Sequence, residues 1–376
     1  NNMTKKITAV SIFFLSTFIF GGMKFSSCSG QNEVSQNDFK ISDSLKWSER
    51  LTESFLIRHP GSVTHDEYMT KNDWNYEQGV VLEALRQMYF KTGDKKYFNF
   101  IKENIDQFVT EEGKILEYEY NTFNIDNINT GRQLLFLYKE TGIEKYKIAA
   151  DTLRKQLQNQ PRTNEGGFWH KKIYPYQMWL DGIYMSGPFY AQYISMFEKE
   201  KNYDDVVFQI TTVYKHTLDE KTGLLYHAWN ENKEQKWADP VTGTSKHFWG
   251  RAIGWYLMAI VDVLDILPED HPKRGEIIHI LQNVSEAVIN FRDKDTGLWY
   301  QILDMQDREG NYLEASCATM FTYAFAKGAN KGYLDKKFYK IADESFESII
   351  KTHVEVEENG FVNLLNTCKG AGLGGN

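Results

Sequence analysis

The sequence predicts an all-helical fold, a ring of helical hairpins that would close as a six-hairpin barrel, and three observations predict it. Apolar residues recur at helical rather than strand spacing, as in the run from Gly79 to Tyr89. Segments of small and apolar residues repeat near Asn75, Asn127, Trp179, Phe248 and Ala315, about 52 to 69 residues apart. Each repeat reads as an apolar helix, a short turn and a more amphipathic helix.

The elements follow in order. Lys5 and Lys6 precede an apolar run from Ile7 to Gly22, which has the length and flanks of a secretory signal rather than of a membrane span. Phe25-Ser26-Ser27-Cys28 places small residues before a cysteine, a loose bacterial lipobox that makes Cys28 the expected lipidated residue at the end of a 1–28 signal segment. Residues 29–40 are polar and read as a tether, and 41–376 as one domain. The protein is therefore expected to be exported to the periplasm or outer membrane and to meet a membrane only through a lipid.

Outer helices are expected over about 41–57, 95–110, 143–159, 203–216, 273–292 and 335–352, and inner ones start near 75, 127, 179, 248 and 315. Thr92-Gly93-Asp94 and Thr141-Gly142 supply stop signals, and Pro268 to Pro272 supplies another. A closed barrel needs a sixth inner helix. The glycine-rich stretch 370–376 is not one, so the natural chain is expected to continue past Asn376.

Connections leading into the inner helices run to roughly 17 to 31 residues and are rich in Trp, His, Asn and Gly. If the inner helices are parallel, all these loops share one rim. Function concentrates on such loops.

Composition narrows the partners. A net charge of −8 argues against a nucleic-acid surface, and an acidic ligand would need local basic groups. The aromatic content of 15% suits both a bulky core and stacking on sugar faces. Three cysteines form no closed disulfide framework, and Cys317, in an apolar helical stretch, reads as a small core residue. The histidines lack close metal-ligand spacing, so no metal or other cofactor is implied.

Tyr174 to Pro188 (YPYQMWLDGIYMSGP), Lys236 to Gly243 (KWADPVTG) and Phe248 to Tyr256 (FWGRAIGWY) resemble glycoside hydrolase family 105, the unsaturated rhamnogalacturonyl hydrolases, relatives of the family 88 unsaturated glucuronyl hydrolases. The resemblance runs from about residue 40 to the end. It implies an (α/α)6 barrel and release of a 4,5-unsaturated uronic acid from the non-reducing end of lyase-generated oligosaccharides, rhamnogalacturonan fragments foremost. A polysaccharide lyase would then act upstream. The chemistry differs from ordinary glycoside hydrolysis, because a carboxylic acid protonates C4 of the C4=C5 double bond and water adds at C5.

On that resemblance Asp181, at the start of an inner helix, is the expected acid, and Asp126 its carboxylate neighbour. Without it, each could equally be a first-turn or capping aspartate. A general acid must hold its proton at working pH, so burial and the nearby carboxylate must outweigh the helix end and Arg251. His170, Lys171 and His227 fall at substrate-pocket positions of the family. Arg251 offers a planar fork suited to a uronate carboxylate, or else a structural pair with Asp239 or Asp262. Trp74, Tyr76, Trp237 and Trp249 are candidates to stack on the sugar ring. Two other readings remain, a conventional inverting glycosidase using Asp181 and Asp126, and a surface glycan-binding protein without turnover.

Overall fold

The computed structural model describes residues 39–63 and 73–373; the signal segment with Cys28, and the tether up to residue 38, lie outside them. Among the described residues are eleven α-helices and two short two-stranded antiparallel sheets. The outer helices are α1 (Trp47–Arg58), α3 (Lys95–Asp106), α5 (Glu144–Asn159), α7 (Asp204–Thr217), α9 (Arg274–Ile289) and α11 (Lys337–His353). The inner helices are α2 (Tyr76–Thr92), α4 (Gly131–Thr141), α6 (Leu180–Phe197), α8 (Gly250–Leu264) and α10 (Ala315–Asn330), packed in that order around the ring. The fold is all-α, a helical barrel of hairpins.

Residue type decides which helix lies inside. Every residue of α8 is buried, as a helix apolar on all sides requires. The outer α3 instead buries Tyr97, Phe100, Ile101, Asn104 and Ile105, one stripe at helical spacing. Short inner-to-outer turns are enforced by Gly93 and Gly142, whose φ values of 72° and 68° suit glycine and whose N–H groups reach Tyr89 and Tyr138 carbonyls.

One buried ionic cluster touches all five inner helices. Arg132 of α4 lies 3.1 Å from Asp262 of α8 and 3.4 Å from Glu83 of α2, and donates to the Tyr184 hydroxyl of α6 at 3.1 Å. From α10, Tyr323 and Lys327 both donate to Asp262 Oδ1, at 2.7 and 2.6 Å. Each charge there has an opposite partner, the condition under which ions are tolerated away from water.

The hairpin β3 (Val354–Val356) and β4 (Val362–Leu364) reaches the opposite end of the sequence. Val362 N donates to Ser54 Oγ of α1 at 2.9 Å, Arg58 donates to the Val362 carbonyl at 3.2 Å, and Ile41 N donates to the Asn359 carbonyl at 2.9 Å.

Candidate active site

The loops before α4, α6 and α8 meet at one rim, with His170 against Asp126 and His227 against Asp181 and Trp249. Strand β1 (Gln177–Trp179) runs directly into α6, and β2 (Ala228–Asn230), its antiparallel partner, directly follows His227. Trp179 faces Ala228 in that register, so the pairing brings His227 to the start of α6. There the His227 carbonyl accepts the Leu180 N–H at 3.0 Å, one of the donors a helix start leaves unpaired. The imidazole completes the contact, with Nε2 2.9 Å from Asp181 Oδ2. Asp181 thus occupies the first turn of an inner helix, 15% exposed at the side chain.

Asp126 is placed differently from the sequence expectation. The inner helix expected near Asn127 begins at Gly131, and a 3₁₀ turn, Ile125–Ile128, precedes it. Asn124 caps that turn by accepting the Asp126 N–H at 3.1 Å, which leaves the Asp126 carboxylate for other partners. Lys171 Nζ lies 2.7 Å from Oδ2 and His170 Nε2 3.3 Å from Oδ1. Burial pushes the Asp126 carboxyl up, but His170 and then Lys171 more than offset it, and the group is held well below the usual carboxylate range. Ile125 N donates to the His170 carbonyl at 3.1 Å, so backbone as well as side chains joins the two loops.

Aromatic rings bind the two acidic positions into one wall. Trp179 stacks on His170 (4.6 Å between centroids, 5° between planes) and on Tyr174 (5.1 Å, 10°), and meets His227 edge-on at 5.2 Å. Trp249, the residue before α8, lies 4.9 Å from His227, and the Arg251 guanidinium carbon 5.3 Å from the Trp249 ring. The Tyr76 phenol is pushed up first by burial, then by Glu77, with Asp126 and Asp181 adding and Arg251 opposing. Its hydroxyl therefore lies within the field of both aspartates and of Arg251.

Of the predicted residues, Asp126, His170 and Lys171 converge, as do Asp181, His227 and Trp249, while Tyr76 lies edge-on to Trp255 of α8 at 6.3 Å. Arg251 pairs with neither Asp239 nor Asp262; its Nε donates to Ser316 Oγ at 2.8 Å and an Nη to the Cys368 carbonyl. Asp262 is engaged in the interior cluster, and Asp239 accepts from the Val241 and Thr242 N–H groups of its own loop. Trp237 is half-buried on that loop. Trp74 lies deeper. It is 2% exposed, edge-on to Phe108, and its indole N–H donates to the Asn127 carbonyl at 3.0 Å, so it supports the Asp126 turn from behind and offers no face to a sugar.

Three participants were not singled out from sequence. Trp179 and Tyr174 lie inside the quoted motif but declare their stack only in three dimensions. Glu77 begins α2 beside Tyr76, and burial first, then Asp126 and Asp73, push its carboxyl up against the opposing Tyr76 bond and Arg251. Among the described residues no group of three or more His, Cys, Asp or Glu side chains is arranged to hold a metal ion.

A family model described as Glycosyl Hydrolase Family 88 matches residues 47–376. A glycoside hydrolase from family 105 of C. acetobutylicum ATCC 824 superposes with a TM-score of 0.83 at 42% identity, covering 88% of this chain and 90% of that one. The unsaturated rhamnogalacturonyl hydrolase YesR of Bacillus subtilis is 28% identical over 299 residues, 78% of this chain and 79% of its own length. The unsaturated glucuronyl hydrolase of Bacillus sp. GL1 shares the fold, with a TM-score of 0.60 at 12% identity, covering 84% of this chain and 85% of that one.

Proposed function

This chain belongs to the related glycosyl hydrolase families 88 and 105, and from that premise we propose that it removes a 4,5-unsaturated uronic acid from the non-reducing end of lyase-generated oligosaccharides, with Asp181 as the proton donor. The observation that carries the reading is Asp181 in the first turn of α6, bonded through one oxygen to His227 and sharing its rim with a second carboxylate, Asp126, whose pKa is held well below the usual range.

The two carboxyl groups have different surroundings and so different tasks. Asp126 sits against Lys171 and His170 and keeps its negative charge. That charge stabilises the positive charge that develops on the substrate. Asp181 delivers its proton to C4, and the cation at C5 is shared with the ring oxygen. Water bonds to C5 and gives a proton back to Asp181. The hemiketal opens as the C5–ring oxygen bond breaks and a ketone forms at C5. The hemiacetal left at C1 then expels the second sugar as its alcohol. One water is consumed, and no carboxylate attacks the anomeric carbon.

Arg251 would take the uronate carboxylate, since its planar fork matches two oxygens. Tyr76 and Trp249 would flank the ring. Similarity to YesR favours a rhamnogalacturonan fragment as substrate. The Lys5, Lys6 and Cys28 pattern supports export with a lipid on Cys28, which would put the protein where such fragments are released.

The deciding experiment follows ultraviolet absorbance of the alkene in an unsaturated rhamnogalacturonan disaccharide. Loss of absorbance that requires Asp181 is expected. Cleavage of saturated substrates alone would favour the inverting glycosidase, and binding without absorbance loss a glycan-binding role.

A further inference from the structure

Glu314 immediately precedes α10, is fully buried, and accepts four hydrogen bonds. Two come from the helix it caps, Ser316 N to Oε1 at 3.0 Å and Cys317 N to Oε2 at 2.8 Å. A helix cap needs no more than these. The other two come from Ser316 Oγ, to Oε2 at 2.6 Å, and from Cys368 N, to Oε1 at 2.9 Å, on a segment 54 residues away.

These two residues also receive Arg251. Its Nε donates to Ser316 Oγ at 2.8 Å, and its Nη to the Cys368 carbonyl. A serine hydroxyl has one proton, and here Glu314 takes it, so only a lone pair is left to face Arg251. Similarly, the Cys368 peptide is held at its N–H by Glu314 while the same residue's carbonyl meets the guanidinium. The Glu314 carboxylate is itself 3.9 Å from an Arg251 nitrogen, an ion pair too long for a direct hydrogen bond, so its directional hold on Arg251 passes through the two intermediaries. Ala315 N donates to the Asn366 carbonyl at 3.0 Å and fastens the same segment beside them.

We propose that Glu314 is a positioning residue, which orients two acceptors of Arg251 and so helps to set the plane of the guanidinium for a carboxylate on the substrate. The inference rests on the reading in which Arg251 receives the uronate. Arg251 is 2% exposed and anchored through two of its nitrogens, so a small rotation would misalign the fork. A carboxylate ligand senses that misalignment, whereas an uncharged group in its place does not.

Glu314→Gln and Ser316→Ala are compared with the parent on an unsaturated disaccharide and on its uronate methyl ester, with near-ultraviolet circular dichroism reporting folding. Both variants are expected to lose about tenfold or more in kcat/KM on the acid, as KM rises, because a charge-assisted hydrogen bond is weakened. On the ester they should lose less than about twofold. Equal losses on acid and ester, or no loss in folded protein, overturn the role of Glu314. Should Glu314→Gln fail to fold, Ser316→Ala decides alone, since it removes a single oxygen. Arg251→Lys separates the two levels. If it abolishes the parent's preference for acid over ester while the other variants keep it, only the positioning role falls. If parent and Arg251→Lys treat acid and ester alike, Arg251 does not take the uronate and the proposal falls with that reading.

Discussion

His227 holds Asp181 twice over, its imidazole Nε2 2.9 Å from the carboxylate and its carbonyl 3.0 Å from the N–H of Leu180 next to it. Backbone pairing fixes where the carboxyl group starts, and the ring fixes where it points. Asp181→Asn keeps the shape and removes the proton donor, so turnover should fall by about 10²- to 10⁴-fold with the melting temperature nearly unchanged. His227→Gln should cost less, roughly tenfold to a hundredfold, because it loosens orientation without removing the acid. Initial rates of alkene loss, beside thermal melts, check both.

Asp126 is expected to matter for charge rather than for proton delivery. Its carboxyl is held well below the usual range because His170 and Lys171 outweigh burial. A carboxylate with a depressed native pKa stabilises the fold above its unfolded value of about 4, and that contribution is lost as pH falls through the native value. Asp126→Asn should therefore destabilise by about 1–3 kcal/mol at neutral pH. The gap to the parent should stay flat down to about pH 5 and close only below about pH 4. Denaturant titrations at several pH values measure it; a gap that closes near neutrality contradicts the assignment.

Removal of Arg132 tests the interior cluster. Arg132→Met would leave Glu83 short of a cation and Asp262 dependent on Lys327 alone. The expected loss is about 3–5 kcal/mol, the cost of stranding buried charge. Re-pairing by a second change, Asp262→Asn, should recover part of it, which chemical denaturation of the single and double variants would read.

The inner helices were legible because burial on every side forces small and apolar residues into long runs, as in Gly250 to Leu264. Turn positions were legible for a local reason too, since Gly93 and Gly142 must reach positive φ. Asp181 was legible only through the motif around it, because a first-turn aspartate is chemically ambiguous by itself. What stayed hidden depends on partners distant in sequence. Asn124 caps the turn that would otherwise have claimed Asp126. Trp74 turns inward because a carbonyl 53 positions away accepts its N–H. Glu314 looks like an ordinary cap until the Cys368 segment folds against it.

Gly243 offers a backbone test of the same rim. It has a φ of 83°, and a Cβ there would lie 2.4 Å from the Asn230 carbonyl oxygen, at the end of the strand that follows His227. Gly243→Ala is expected to destabilise by about 1–3 kcal/mol and to lower kcat more than an equally destabilising change on an outer helix. Melts and kinetics on both variants make the comparison.

The proposed membrane attachment rests on one sulfur. Cys28→Ser in the full chain should abolish incorporation of a labelled fatty acid in a bacterial host and release the protein from membranes. Continued labelling of the serine variant would remove Cys28 as the anchor.

The bond between Val362 and Ser54 joins residues 308 apart in sequence, and Arg58 reinforces it across 304. Hairpins such as α2–α3 need only near neighbours and can form while the chain is still emerging from the ribosome. The clasp between α1 and the β3–β4 hairpin has to wait until both are present, and it carries the loop entropy of nearly the whole molecule. Closure of this clasp should therefore follow the local hairpins slowly, with the exposed flanks of α1 as the surface on which premature association between nascent copies would begin.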